Sequence, residues 1–124
     1  MYIWIDIHMT EENICEIKSI REDLLETVNK KMKTEETYNE IAKLFKLLGD
    51  YNRLRIISAL EHEELCVCEL SLLLDMSQSS ISHQLRLLRS NDMVKFRKKN
   101  KRVFYSLNNN QITKLITEAE EYEK

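Results

Sequence analysis

A chain with one glycine, Gly49, and no proline has few places to break, because these two residues are the strongest punctuation a sequence carries. No Ser/Gly-rich stretch replaces them, so neither a flexible linker nor a low-complexity segment divides the 124 residues. One domain of ordinary size is expected, with turns drawn from Asn, Asp and Ser. It is small enough for a dimer to supply much of its stability.

Hydrophobic periodicity then places the elements. From Thr10 to Lys33, Ile14, Ile17, Leu24, Leu25 and Val28 fall partly on a helical spacing. A second helix is predicted from about Glu35 to Leu48, where Tyr38, Ile41, Ala42, Phe45 and Leu48 recur at three and four residues and Gly49-Asp50 supplies the stop. A third runs from Tyr51 to His62 on Leu54, Ile57, Ala59 and Leu60, leaving Arg53 and Arg55 to pair or to face solvent. Glu69 to Leu74 reads as a short helix, and Asp75-Met76-Ser77 as a turn whose serine caps the next helix, Gln78 to Ser90. Within it Ile81, Leu85 and Leu88 form the core side. Met93 to Arg97 and Val103 to Leu107 alternate at period two around a turn, Lys98 to Arg102, made almost wholly of cations. The closing helix, Asn108 to Lys124, carries a stripe of Ile112, Leu115, Ile116 and Ala119 on an otherwise polar surface, suited to packing on a partner. The expected fold class is mainly α with a small β-hairpin.

The net charge of −2 is unevenly spread. Between Ser79 and Tyr105 eight basic residues face one acid, Asp92, so that segment carries +7 while the rest of the chain holds −9 and would repel a polyanion. A charge run is often only a solvated face. Here it follows two helices joined by a tight turn, the arrangement that sets a second helix in the major groove while cations hold phosphates. Gln78, Ser79, Ser80, Ser82, His83, Gln84 and Arg86 lie largely on the outside of that second helix. Gln84 could pair bidentately with adenine, and Arg86 could take phosphate or guanine. Lys98, Lys99, Lys101 and Arg102 at the hairpin tip would lie along the neighbouring backbone or minor groove of double-stranded DNA.

Cys66 and Cys68 sit one residue apart just before an apolar run that reads as a helix start, and Cys15 is the only other cysteine. Thiolates suit soft or borderline metals, and a helix N-terminus favours the thiolate form. An odd cysteine count argues for reduced thiols and a cytosolic protein. The apolar opening, Met1 to His8, is too short for a signal peptide, and no apolar run reaches membrane length. A soluble protein with no membrane partner is expected. No Ser/His/Asp set, paired carboxylates or Gly-rich phosphate loop points to an enzyme.

From about Ile41 to Ile116 the chain resembles the arsenic-repressor/metallothionein-repressor (ArsR/SmtB) family of winged-helix metal sensors. The matching stretches are Leu47 to Ile56, the metal box Glu64 to Leu70, Ser79 to Leu88 in the recognition helix, and Val94 to Lys99 with Val103 to Leu107 in the wing. The resemblance implies a winged helix-turn-helix in which residues 1–33 form an arm and dimerisation helix, 35–107 the core, and 108–124 a second dimerisation helix. It also implies a homodimer that binds operator DNA when metal-free and lets go when metal is bound.

Family members place metal differently. The positions matching a site between the terminal helices read Asn109, Gln111 and Tyr122, which are poor zinc ligands. A box-only arsenite site wants a third cysteine where Ser71 stands. The cadmium- and lead-responsive subtype adds thiols from the N-terminal segment, and Cys15-Glu16-Ile17 resembles that arm, with Ser19 where a further cysteine would fall. The expected site is therefore Cys66, Cys68 and Cys15, the last from the same chain or the other subunit. Three thiolates suffice for lead or trivalent arsenic, whereas zinc or cadmium would want a fourth ligand, supplied by His8, Asp6 or water. His62 is a weaker candidate. The competing expectations are a repressor that responds to arsenite or oxidation through the same thiols, and a metal-binding protein without specific DNA binding.

Overall fold

The structure, a computed structural model, describes residues 20–123. The elements are α1 (Glu22–Lys31), α2 (Glu35–Leu48), α3 (Tyr51–His62), β1 (Leu65–Cys66), α4 (Val67–Leu74), α5 (Gln78–Ser90), β2 (Val94–Lys99), β3 (Arg102–Leu107) and α6 (Gln111–Glu123). The chain divides into two compact units at Ala42 and Lys43, inside α2. In the first, α1 leaves Leu24 and Val28 exposed. The start of α2 is fixed by Thr34, whose hydroxyl accepts the Thr37 amide at 3.2 Å, and by the Lys33 amide donating to the Tyr38 hydroxyl at 3.1 Å.

In the second unit Ile56, Ile57, Leu70, Ile81, Leu85 and Leu88 are fully buried, joining α3, α4 and α5 in one core. The helix boundaries have local causes. Asp50 caps α3, its Oδ1 accepting the Arg53 amide at 3.0 Å, and the Arg53 guanidinium returns to the Leu47 carbonyl at 3.0 Å. At Gly49 the chain approaches closely: a Cβ there would lie 3.1 Å from the Phe45 carbonyl oxygen, a tight contact that glycine avoids. Asp75 ends α4 in the left-handed conformation, φ 53°, which Asp tolerates better than most side chains. The Arg55 guanidinium meets the freed Leu74 carbonyl at 2.6 Å. Ser77 then caps α5, its Oγ accepting the Ser80 amide at 3.1 Å. The result is a helix-turn-helix, α4 and α5, followed by a hairpin wing.

Three expectations are corrected. The short helix begins at Val67 rather than Glu69, because Cys66 takes the N-cap position and Glu69 turns back to it, accepting the Cys66 amide at 3.0 Å. The five-residue cationic turn shrinks to two residues, Asn100 and Lys101, with φ 51° and 69°. Backbone pairing carries the strands on past the apolar alternation, so Lys98, Lys99 and Arg102 belong to strands, Lys99 opposite Arg102 and Lys98 opposite Val103. Finally β1 joins the hairpin, giving an antiparallel sheet in the order β1-β3-β2 with Leu65 opposite Tyr105 and Cys66 opposite Phe104. Among the described residues, no helix is long and apolar enough to cross a membrane.

Candidate metal centre and nucleic-acid interface

Directly opposed residues of neighbouring strands share a face of the sheet. One face therefore carries Cys66, Phe104, Arg97, Lys99 and Arg102, while Leu65, Tyr105, Phe96, Val94 and Leu107 occupy the other. Leu65, Val94, Tyr105 and Leu107 of that second face belong to the core or pack against it. Cys66 thus lies on the face of the wing sheet opposite the one packed on the core. Cys66 is buried and Cys68, on the first turn of α4, is exposed; both are free of disulfides. Arg102 Nη2 donates to Cys66 Sγ at 2.9 Å and stands 4.0 Å from Glu69 Oε1. The sulfur contact raises the pKa of the Arg102 guanidinium. The Glu69 carboxyl is held below its ordinary value chiefly by the Cys66 amide. Just before β1, Glu64 forms an ion pair with Arg97, whose Nε donates to its Oε2 at 2.8 Å.

The donors suit a thiophilic cation: two free thiols, Cys68 open to solvent and Cys66 buried with its sulfur facing the Arg102 guanidinium. Among the described residues, no group of three or more His, Cys, Asp and Glu is gathered to hold a metal ion. Cys15 and His8 lie outside the described residues, as does Asp6. Ser71 is committed elsewhere, its hydroxyl donating to the Met76 carbonyl at 2.5 Å across the turn. Asn109 accepts the Gln111 amide at 2.9 Å. His62 is exposed at the end of α3.

On α5, Gln78, Ser79, His83 and Arg86 are exposed, whereas Ser80, Ser82 and Gln84 are half-buried. Gln84 Oε1 is buried without a hydrogen-bond partner, so a bidentate contact to a base would require the amide to turn outward. Ser79 shares a hydroxyl contact of 3.3 Å with Ser77. Lys98, Lys99 and Lys101 are exposed. Arg102, expected along the DNA backbone with these lysines, is exposed on the wing and at the same time reaches the Cys66 sulfur. Sequence reasoning also missed Arg89, whose guanidinium stands 4.1 Å from the Phe96 ring centroid and ties the recognition helix to the wing. Asn100 was the available signal for the shorter turn, since Asn adopts positive φ more readily than most residues.

A family model described as bacterial regulatory protein, arsR family, matches residues 50–95. This span takes in α3, the metal box, both helices of the helix-turn-helix and the start of the wing. A transcriptional repressor SmtB homolog of Synechocystis is 35% identical over 112 residues, which cover 90% of this chain and 85% of that protein. The chain belongs to the arsR family. A cadmium resistance transcriptional regulatory protein CadC homolog of Staphylococcus aureus is also 35% identical to this arsR-family chain, covering 87% of it and 89% of the relative. The structure of HlyU from Vibrio cholerae aligns with a TM-score of 0.64 at 32% identity, over 72% of this chain and 97% of that one. As an arsR-family member the protein is a winged-helix transcriptional regulator and not an enzyme.

Proposed function

We propose that this protein is a metal-responsive repressor that binds operator DNA as a homodimer when metal-free and dissociates when a thiophilic ion, cadmium, lead or zinc, binds at Cys66, Cys68 and Cys15. The observation that carries this reading is the position of Cys66. It is at once the N-cap of the first helix of the helix-turn-helix and a strand residue of the wing sheet. A metal on its sulfur acts through one residue on both the first helix of the helix-turn-helix, which packs against the recognition helix, and the wing, and only such differential contact can shift a binding equilibrium. Base contacts fall to Gln78, Ser79, His83 and Arg86, with Ser80, Ser82 and Gln84 behind them. Phosphate contacts fall to Lys98, Lys99 and Lys101.

The test is fluorescence anisotropy of reduced protein on DNA from upstream of its own gene, titrated with cadmium under anaerobic conditions. Cadmium is expected to weaken binding of the native protein by about 5- to 150-fold, the usual span of allosteric coupling. Cys66→Ser is expected to keep metal-free DNA binding, lowered at most by the loss of the Arg102–sulfur contact, and to lose the cadmium effect. A Cys66→Ser protein that still releases DNA on cadmium would remove the metal box from the mechanism. Release by diamide without metal would move the inducer to oxidation.

A further inference from the structure

The sulfur that the functional reading assigns to a metal is already engaged by a cation of the protein itself. Arg102 reaches Cys66 Sγ at 2.9 Å, stands 4.0 Å from Glu69 Oε1, and stacks its guanidinium 5.3 Å from the Phe104 ring centroid. Three different partners therefore fix one exposed side chain. The strand register makes this possible: Cys66 pairs with Phe104, two residues along β3 from Arg102, so a thiol of the metal box and a cation of the wing meet on one face.

We propose that Arg102 couples the thiol site to the wing, holding the Cys66 sulfur in the metal-free protein and being displaced from it when a thiophilic cation binds. This deepens the metal-responsive reading and rests on it. A metal–sulfur bond of about 2.3 Å, the value for zinc, draws on the same electron pairs that accept the guanidinium proton. It also leaves the sulfur a poorer acceptor. The contact that orders Arg102 is thereby weakened where it matters most for DNA, since Arg102 is adjacent to Lys101 and opposite Lys99. The neighbouring Arg97–Glu64 pair does not use the thiol. It keeps the base of the wing anchored while the tip is released. Arg102 is in this sense a positioning residue that acts on DNA through the hairpin.

The coupling has a reciprocal signature, because an effect of metal on DNA affinity must equal the effect of DNA on metal affinity. In Arg102→Ala, the DNA-free protein is expected to bind cadmium about tenfold more tightly, read from thiolate-to-metal absorbance. The factor by which cadmium weakens DNA binding is expected to fall about tenfold. Lys101→Ala is the control for a lost phosphate contact: it should weaken DNA binding equally with and without cadmium. Arg102→Lys keeps the charge but lacks the planar fork that spans sulfur and carboxylate. It should follow Arg102→Ala in coupling while retaining the salt dependence of metal-free DNA binding. Native release with an unchanged cadmium factor or unchanged cadmium affinity in Arg102→Ala would overturn this role and leave the functional reading standing. A native protein whose DNA binding ignores cadmium would overturn both.

Discussion

Ser77 and Glu64 are two residues whose single interactions can be removed without disturbing the core. The Ser77 hydroxyl satisfies one of the orphan amides at the start of α5, and loss of such a cap costs about 1 kcal/mol. Ser77→Ala is expected to lower the free energy of urea unfolding by that amount, with an unchanged m-value. Glu64 is held below its ordinary carboxyl value of 4.5, first by its hydrogen bond with Arg97 and, among the other lowering causes, by the charges of Arg97 and Lys99. A carboxyl with a depressed folded pKa adds stability that is present above its unfolded value and is lost as pH falls through the folded one. Glu64→Gln should therefore be less stable than the native protein near neutrality, and the gap should close below about pH 4.5. Melting temperatures across that range check the sign; a gap that widened in acid would contradict the pairing. Both residues were visible in the sequence, Ser77 as a cap and Glu64 as part of the metal box. The Arg97 partner of Glu64 was not, because thirty-three positions separate them.

Among the elements, the helices were the most legible and the wing the least. Ile81, Leu85 and Leu88 recur at helical spacing and are all fully buried, since a helix that buries one face must repeat its apolar residues every three to four positions. The hairpin gave a shorter reading than its true length because Lys98, Lys99 and Arg102 extend the strands on backbone hydrogen bonds alone. That difference redistributes the cations: Lys98 shares a face with Val103, Lys99 with Arg102, and Lys101 sits in the turn. If the tip meets phosphates, replacing Lys98, Lys99 and Lys101 together by Ala should flatten the plot of log binding constant against log salt. The loss is expected to be up to about one unit per contact removed. A slope equal to that of the native protein would mean that the wing does not touch the DNA backbone.

At the scale of the whole molecule, the second unit leaves an apolar groove of about 510 Å³, lined by Phe45, Leu48, Leu54, Leu115, Ile116 and Tyr122. Phe45 and Tyr122 are 54% and 90% exposed, and contiguous exposed apolar surface marks an interaction site. If a second copy covers it, Phe45→Asp should weaken dimerisation at least about tenfold, or 1.4 kcal/mol, in sedimentation equilibrium. An unchanged dimer would place the interface elsewhere. The sequence by itself determined the helix-turn-helix, the Ser77 cap of its second helix and the basic wing, because each rests on contacts between residues a few positions apart or on local periodicity. Only the tertiary structure decided that Leu65-Cys66 is a strand. Two residues carry no period, and they become β structure because the free edge of β3 offers them hydrogen bonds. The same pairing brings Arg102, a residue expected on DNA, within reach of the Cys66 sulfur. A contact across thirty-six positions depends on sheet order and register, which local sequence does not encode.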